Sequence, residues 1–206
     1  MFISFEGPEG SGKSTQIDIL ARDLKKKGID FICIREPGGT LLSEKIRDIL
    51  KSNSYNDLTV QSELLLFLAS RSQLVNKVIK PALKINKYVL CDRYIDSTLA
   101  YQGYGRNIPI ESIKLLNSFA TGGLEPDITF LLQLDVDTGF RRIKKRYEEK
   151  TGTFDRIEME DKSFHQRVFD GYNKIASSNN RIITINANED IDFITNKIQS
   201  EINKLV

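Results

Sequence analysis

Near the beginning of the chain stands the segment Gly7-Pro8-Glu9-Gly10-Ser11-Gly12-Lys13-Ser14, which fits the pattern G-x-x-x-x-G-K-S. Glycines at these positions let successive backbone N–H groups point inward, which makes a cradle for phosphate oxygens. A short apolar strand at 2–5 precedes the segment, and apolar residues recur at helical spacing over 13–27. The positive dipole end of that helix would face the same phosphates. The segment, together with Thr15, therefore predicts an ATP-binding loop.

Two side chains at the end of this loop, Lys13 and Ser14, are expected to bind the phosphates and the metal ion in addition to the backbone N–H groups. Lys13 is expected to reach the β and γ phosphates of ATP, and the Ser14 hydroxyl is expected to ligate Mg²⁺. Asp92 ends an apolar run at 88–91 and is placed to hold the same ion directly or through water. The sequence thus predicts Lys13 as a catalytic residue and Ser14 with Asp92 as a magnesium site.

Apolar strand-like runs alternate with helical patterns along the whole chain. The strands after the first are predicted at 31–34, 88–91, 128–134 and 181–185. The helices are predicted at 13–27, 41–50, 57–80, 110–120, 137–149, 162–175 and 190–204, with Pro81 kinking or ending the third. This order predicts an α/β fold, a P-loop three-layer α/β/α domain with a five-stranded parallel sheet flanked by helices. In such sheets ligands bind beyond the carboxyl ends of the strands.

The composition limits the class of protein. The chain has 206 residues, enough for a single domain, and its 30 basic and 28 acidic residues leave a net charge of +2, which argues against a nucleic-acid binder. No apolar stretch reaches membrane-spanning length, and no signal-peptide pattern is present. Cys33 and Cys91 lie in separate apolar runs and are expected to be buried free thiols, as in a reducing compartment. These features predict a cytoplasmic protein that binds neither nucleic acid nor membrane.

Several residues could form a second, acceptor site. A carboxylate inside a phosphate cradle would repel the phosphates, so Glu9 is expected to point outward toward a sugar hydroxyl, unless it is simply a solvated loop residue. Arg35 ends a strand before a Pro-Gly-Gly turn and is placed to bind an anion, although it could be a surface arginine. Arg47, on the next helix, could face the same crevice. Arg93 follows the third strand and is also placed for phosphate.

Phe67 and Arg71 are four residues apart on the predicted long helix and therefore share a face. The ring could stack on a planar base while the guanidinium hydrogen-bonds its edge. Phe67 could instead be a core residue, because leucines surround it. The segment 97–106 is rich in hydroxyl, amide and aromatic groups, which suits base and sugar recognition, although a surface loop and helix would also explain it.

Basic residues fill five of the six positions from 141 to 146, and Arg156 follows. The charged segment 144–160, which contains Thr151-Gly152-Thr153, is predicted to be mobile. This strip could be only a solvated face of a helix. Alternatively it is a lid, at about 141–160, that closes over ATP and brings an arginine to the transferring phosphate.

Together these motifs resemble those of the thymidylate kinase family. The matching segments, in the family's order and over nearly the whole chain, are Phe5-Glu6-Gly7, Gly12-Lys13-Ser14, Arg35-Glu36-Pro37-Gly38-Gly39, Leu66-Phe67-Leu68-Ala69-Ser70-Arg71, Asp92-Arg93-Tyr94, Ala100-Tyr101-Gln102-Gly103 and Asp155-Arg156-Ile157-Glu158. The resemblance implies a dTMP kinase, which transfers the γ-phosphoryl group of ATP to dTMP and forms dTDP and ADP in dTTP synthesis. It also implies the acceptor contacts: phosphate binding by Arg35 and Arg93, stacking on thymine by Phe67, a hydrogen bond from Arg71 to its O4, contacts of Thr98 and Gln102 near the base edge, exclusion of a 2′-hydroxyl by Tyr101, and a contact of Glu9 near the 3′-hydroxyl.

The basic region after a phosphate loop without arginine looks like the bacterial form of the family, in which lid arginines assist catalysis. The resemblance leaves the catalytic arginine open among Arg142, Arg146 and Arg156, and favours Arg156 because it lies in a matching motif. It also suggests a homodimer packed through helices around 41–80. At pH 7 the acceptor phosphate is mostly a dianion, so catalysis needs no general base and is expected to rest on positioning and on charge stabilisation by Lys13, Mg²⁺, Arg93 and a lid arginine.

Two alternative functions stay open. A kinase for another nucleotide, such as dUMP, is compatible with the same residues, because a pocket gains only about 1–3 kcal/mol from the thymine methyl group. A P-loop nucleotide switch without an acceptor site is the second alternative. The paired Phe67 and Arg71 argue against it, because a switch needs no second nucleotide pocket.

Overall fold

The computed structural model describes residues 1–55, 57–150 and 154–205, so positions 151–153 of the predicted mobile segment 144–160 lie outside the described residues. Within the described part, the centre is a five-stranded parallel sheet in the order β2-β3-β1-β4-β5. The strands are β1 (Phe2–Glu6), β2 (Phe31–Arg35), β3 (Tyr88–Asp92), β4 (Ile128–Gln133) and β5 (Ile182–Asn186). The predicted fold class is confirmed.

Helices cover both faces of the sheet. They are α1 (Lys13–Lys26), α2 (Leu41–Lys51), α3 (Val60–Leu74), α4 (Lys80–Lys84), α5 (Ile95–Thr98), α6 (Ile110–Thr121), α7 (Val136–Lys150), α8 (Lys162–Ser177) and α9 (Ile191–Asn203). Two π-helical segments, Val75–Ile79 and Leu99–Gly105, continue α3 and α5. Most predicted boundaries lie within one or two residues of these.

The long helix predicted at 57–80 differs from the prediction at both ends. It begins at Val60, where the Thr59 hydroxyl accepts a hydrogen bond from the Ser62 backbone N–H and so caps the first turn. It then passes through the π-helical segment into α4. Pro81 does not end it, because the proline falls in the first turn of α4, where a missing N–H costs little.

Both faces of the sheet are buried, as expected for parallel strands that helices cover on both sides. On one face, Phe5 and Phe130 pack against apolar residues of α1 and α9. On the other face, Phe2 and Cys91 pack against α4 and the π-helical segment before it, and Leu131 packs against α8. Both sides thus hold the strand ends rigidly, and the functional site lies beyond them.

Only one of the two cysteines is buried as predicted. Cys91 lies in β3, inside the sheet, whereas Cys33 in β2 is exposed. The prediction was wrong for Cys33 because β2 is an edge strand, a position that its apolar sequence does not reveal. Across residues 1–55, 57–150 and 154–205, no helix has both the length and the apolar character needed to span a bilayer.

Candidate active site

The carboxyl ends of β1, β2 and β3 open onto a cavity of about 640 Å³. Its lining includes most of the side chains that the sequence analysis selected: Glu9, Gly10, Gly12, Lys13, Ser14, Thr15, Arg35, Arg47, Phe67, Arg71, Asp92, Arg93, Tyr101, Gln102 and Arg146. Donor-side and acceptor-side candidates therefore share one space. Its volume lies within the range of small-molecule sites.

The phosphate loop has the backbone shape that its glycines require. Gly7 has a φ of 131°, and a Cβ at this position would lie 2.3 Å from the carbonyl oxygen of Leu132, so only glycine fits. The Lys13 ammonium group turns back over the loop and donates to the carbonyl oxygens of Gly7, at 3.1 Å, and Pro8, at 2.9 Å. Burial and the nearby charge of Arg93 lower the pKa of Lys13 to about 8. Lys13 thus lies where it can exchange these carbonyl oxygens for phosphate oxygens.

The two predicted magnesium ligands lie next to each other. The Ser14 hydroxyl donates to Asp92 Oδ2 at 3.1 Å. The described residues contain no group of three or more His, Cys, Asp or Glu side chains that could hold a metal ion. This donor set fits Mg²⁺, which often takes one or two protein oxygens and fills its remaining positions with phosphate oxygens and water.

Glu9 extends from the phosphate loop to the acceptor side of the cavity. Its carboxylate accepts a hydrogen bond from Arg93 Nη2 at 2.7 Å and another from the Tyr101 hydroxyl at 2.5 Å. Burial alone would raise the pKa of Glu9, but the charges of Arg93 and Lys13 outweigh it and lower the pKa to about 2. Glu9 therefore stays ionised at any physiological pH and holds Arg93 in place.

Arg93 has an unusual backbone conformation for a residue other than glycine, with a φ of 71°. Its Nη1 donates to the Gly7 carbonyl oxygen at 2.9 Å and to the hydroxyls of Ser97, at 3.2 Å, and Tyr172, at 3.1 Å. The guanidinium is thus fixed between the phosphate loop, α5 and α8. A strained backbone that tertiary contacts hold in place is typical of functional sites.

Arg71 is 2% exposed and every one of its N–H groups has an acceptor. Nε and Nη2 donate to the Glu36 carboxylate, Nη2 also donates to the Tyr94 carbonyl oxygen, and Nη1 donates to Thr98 Oγ1 and Asn117 Oδ1. A base oxygen that approaches Arg71 must therefore share one of these hydrogens. Thr98, also proposed near the base, is buried behind Arg71.

The remaining acceptor candidates line the open part of the cavity. Phe67 is half-buried and lies at the cavity wall rather than in the core. Arg35 pairs with Glu44 at 2.9 Å, and Arg47 donates to the Pro37 carbonyl oxygen at 2.9 Å. Burial and the neighbouring Arg35 charge lower the pKa of Arg47. Both guanidinium groups line the cavity, and their positive charges favour an anion there.

Comparison with known proteins agrees with this geometry. The model of the thymidylate kinase family matches residues 5–198. The chain belongs to the thymidylate kinase family. A thymidylate kinase of Acholeplasma laidlawii is 46% identical over 205 residues, which cover 99% of each chain, and one of an Exiguobacterium species is 44% identical over 199 residues, which cover 96% of this chain and 92% of the relative. The crystal structure of thymidylate kinase from Ehrlichia chaffeensis is 38% identical, covers 98% of both chains and superposes with a TM-score of 0.79.

Within this thymidylate kinase fold, the basic residues of the predicted lid separate into two groups. Arg142 donates to the Gly10 carbonyl oxygen at 3.2 Å, and Arg146, which binds Glu158 at 3.0 Å, lines the cavity. Arg156 turns away from the phosphate loop, because Glu63 binds its Nη1 at 2.7 Å and the Leu50 carbonyl oxygen accepts from its Nε at 3.2 Å. The conformation therefore favours Arg142 and Arg146 over Arg156 as the arginine next to the phosphates.

Sequence reasoning did not assign roles to several residues of this kinase site. Glu36 holds Arg71, and its position beside Pro37 in a matching motif was a usable signal. Glu6 accepts from Ser97 and from the Tyr172 hydroxyl. Tyr172 gave no signal, because a lone tyrosine on an amphipathic helix is usually part of the core.

Proposed function

We infer that the protein transfers the γ-phosphoryl group of ATP to dTMP and releases dTDP and ADP. The observation that carries this function is the hydrogen-bonded connection between Glu9 of the phosphate loop and Arg93 of the acceptor side, inside one cavity. A donor loop and an acceptor pocket that share a wall are what direct transfer between two nucleotides needs. The product is a precursor of dTTP, so the reaction is a step of dTTP synthesis.

On the donor side, the phosphates of ATP would lie on the backbone N–H groups of the loop and at the start of α1. Lys13 would leave the Gly7 and Pro8 carbonyl oxygens and bind the β and γ phosphates. Ser14 and Asp92 would hold Mg²⁺, which when bound neutralises charge on these phosphates. The residues present fit this role, although they supply only two side-chain oxygens.

On the acceptor side, Arg35, Arg47 and Arg93 surround the place for the dTMP phosphate. Phe67 would stack on thymine, and Gln102 would meet the base edge. Arg71 would share one of its hydrogens with O4 of thymine, and Thr98 would act through its hydrogen bond with Arg71. Tyr101, which donates a hydrogen bond to Glu9, would limit the space at the 2′ position of the sugar.

The reaction then depends on charge and position. The acceptor phosphate is already mostly ionised at pH 7, so no residue has to remove a proton. Lys13 and Arg93 are fixed close to each other, and Arg146 or Arg142 would add charge when the lid closes over ATP. Closure would also exclude water and so suppress hydrolysis of ATP.

A coupled assay of ADP release over a panel of nucleoside monophosphates tests this function. We expect dTMP to be preferred, with kcat/KM for dUMP lower by about 10-fold to 200-fold, the usual factor for one methyl group. Preference for any other acceptor would refute the assignment. Slow ADP release that does not depend on the acceptor would instead indicate a nucleotide switch.

We also propose that two copies of the chain associate. Leu41 on α2, Leu65 on α3 and Phe119 on α6 are 83%, 58% and 88% exposed, and these three helices pack side by side. Burial of such a face is a common basis for a homodimer. Sedimentation at micromolar concentration would distinguish the dimer from the 23.5 kDa monomer.

The free thiols Cys33 and Cys91 support a reducing, cytoplasmic location.

A further inference from the structure

Glu63, in the first turn of α3, is a buried carboxylate that accepts three hydrogen bonds and forms an ion pair with Arg156. Its Oε1 accepts from Gln102 Nε2 at 2.8 Å and from Arg106 Nε at 3.2 Å. Its Oε2 accepts from Arg106 Nη2 at 3.0 Å and lies 2.7 Å from Arg156 Nη1. Glu63 is 1% exposed, so these partners take the place of water. One of the three hydrogen bonds comes from Gln102, a residue of the proposed base site.

The ionisation state of Glu63 determines which way the side-chain amide of Gln102 is oriented. Burial alone would raise the pKa of this carboxyl group, but hydrogen bonds from Arg106 and Gln102, and the arginine charges, lower it below its ordinary value. An ionised carboxylate can only accept hydrogen bonds. Gln102 must therefore turn its NH₂ group toward Glu63, since the opposite orientation would place two oxygen acceptors against each other.

This orientation leaves the amide oxygen of Gln102 for the cavity that the side chain lines. Gln102 is 2% exposed, so a second orientation has little room to find other partners. A carbonyl oxygen at this place accepts from an N–H group. Thymine carries a hydrogen on N3, whereas cytosine has a lone pair there, so the fixed amide would attract the first base and repel the second.

We propose that Glu63 is a specificity-determining residue, which fixes the amide orientation of Gln102 so that the site prefers pyrimidines with a hydrogen on N3. This inference rests on the proposed dTMP kinase function. Glu63 does not touch the base and acts through Gln102, so it is a positioning residue. A glutamine without this anchor could present either its oxygen or its NH₂ group, and would distinguish thymine from cytosine poorly.

The test compares kcat/KM for dTMP and for dCMP, with ATP as donor, in the wild-type protein and in Glu63→Gln. The variant side chain can offer Gln102 either a donor or an acceptor, so the orientation is no longer fixed. We expect the dTMP to dCMP ratio to fall by about tenfold to a hundredfold, the range for one hydrogen bond to a charged group. In a Gln102→Met background, Glu63→Gln should leave the ratio unchanged.

Arg106→Gln is the matched control. It removes a charged partner of Glu63 but leaves the carboxylate against Gln102, so stability should fall while the ratio stays at the wild-type value. An unchanged ratio in Glu63→Gln, an equal shift in the Gln102→Met background, or the same shift in Arg106→Gln would each overturn the proposal. A wild-type protein that does not use dTMP would refute the proposed function instead.

If Glu63→Gln does not fold, the wild-type protein still gives an answer. The side-chain NH₂ signals of Gln102 can be assigned by NMR from their loss in Gln102→Met. We expect these signals to change little when dTMP is added, because the NH₂ group faces Glu63 and not the base. A large change in both NH₂ signals would mean that the NH₂ group meets the ligand, which contradicts the proposal.

Discussion

The Glu9 carboxylate in the phosphate loop and the Arg93 guanidinium beyond β3 form an ion pair at 2.7 Å. Arg93 also donates to the carbonyl oxygen of Gly7, in the same loop, at 2.9 Å. The proposed ATP-binding loop thus holds in place an arginine that is proposed to bind the acceptor. A change in either residue should therefore alter acceptor binding more than ATP binding.

Replacement of Glu9 by alanine should release the Arg93 guanidinium from its strongest contact. We expect kcat/KM for dTMP to fall by about tenfold to a hundredfold, since a hydrogen bond between charged groups contributes about 1.5–3 kcal/mol. KM for ATP should change much less. Glu111→Ala, which removes an exposed carboxylate on α6, is the control and should be neutral. Equal increases in the KM values of both substrates would contradict this coupling.

Replacement of Lys13 by alanine should remove most of kcat. The buried ammonium group donates to the carbonyl oxygens of Gly7 and Pro8 in the loop, and one such transition-state donor usually contributes about 100-fold to 1000-fold in rate. Initial rates at saturating ATP and dTMP measure the effect. Lys26→Ala, at the exposed end of the same helix, should keep wild-type rates. Near-normal turnover by the Lys13 variant would refute the assigned role.

The lowered pKa of Lys13, about 8, predicts a pH effect on ATP capture. Lys13 binds phosphate only when protonated, so kcat/KM for ATP should decline as the pH rises through about 8. Bound phosphate raises the pKa of Lys13, and kcat should therefore stay level to higher pH. Initial rates between about pH 6 and about pH 10 separate the two profiles. A kcat/KM that is level throughout would show that Lys13 does not titrate in this way.

The fold could be predicted almost completely from the sequence because each local pattern agrees with the global arrangement. Apolar runs such as that at β4 are buried on both faces, and glycines with positive φ stand where the phosphate loop needs them. Predictions failed where neighbours in space decide the outcome. Cys33 is exposed because of the strand order, and Pro81 fits inside a helix because it falls in the first turn of α4, directly after a π-helical segment.

In the candidate site too, local sequence patterns predict some residues correctly, whereas contacts between distant parts of the chain decide the others. The residues of the phosphate loop and Asp92 follow from short motifs whose spacing implies their geometry. Arg156 could not be placed, because its partner Glu63 is distant in the sequence and the chain does not reveal that they meet. Likewise, no pattern indicates that Asn117 accepts a hydrogen bond from Arg71.

The three arginines of the basic region should differ in what they affect. Arg146→Ala and Arg142→Ala should lower kcat, because these side chains lie at the cavity and at Gly10 of the loop. Arg156→Ala should instead lower the free energy of unfolding by about 1–3 kcal/mol, since Glu63 loses one of its buried partners. Parallel measurements of kcat and thermal unfolding test the contrast. A large loss of kcat in Arg156→Ala alone, with stability unchanged, would mean that lid closure brings this residue to the phosphates.

Glu6, at the end of β1, is fully buried. Burial raises its pKa from 4.5 to about 7, and the Asp96 charge adds to the shift, although the hydrogen bond from Ser97 and the Arg93 charge oppose it. Between these two pH values the folded protein keeps a proton that the unfolded chain has released. The free energy of unfolding should therefore fall as the pH rises from 4.5 to about 7, by about 3 kcal/mol from this group.

Glu6→Gln cannot titrate and should lack this decline. His165, whose pKa is lowered by burial, contributes in the opposite direction in both proteins, so the difference between their pH profiles isolates Glu6. Urea unfolding of both proteins at pH values between about 4.5 and about 8 gives that difference. The free energies of unfolding of the two proteins should differ least at pH values below 4.5, the pKa of Glu6 in the unfolded chain. Above about pH 7 the variant should show its largest gain in free energy of unfolding relative to the wild-type protein. Parallel pH profiles would show that Glu6 is ionised in the folded protein throughout this range.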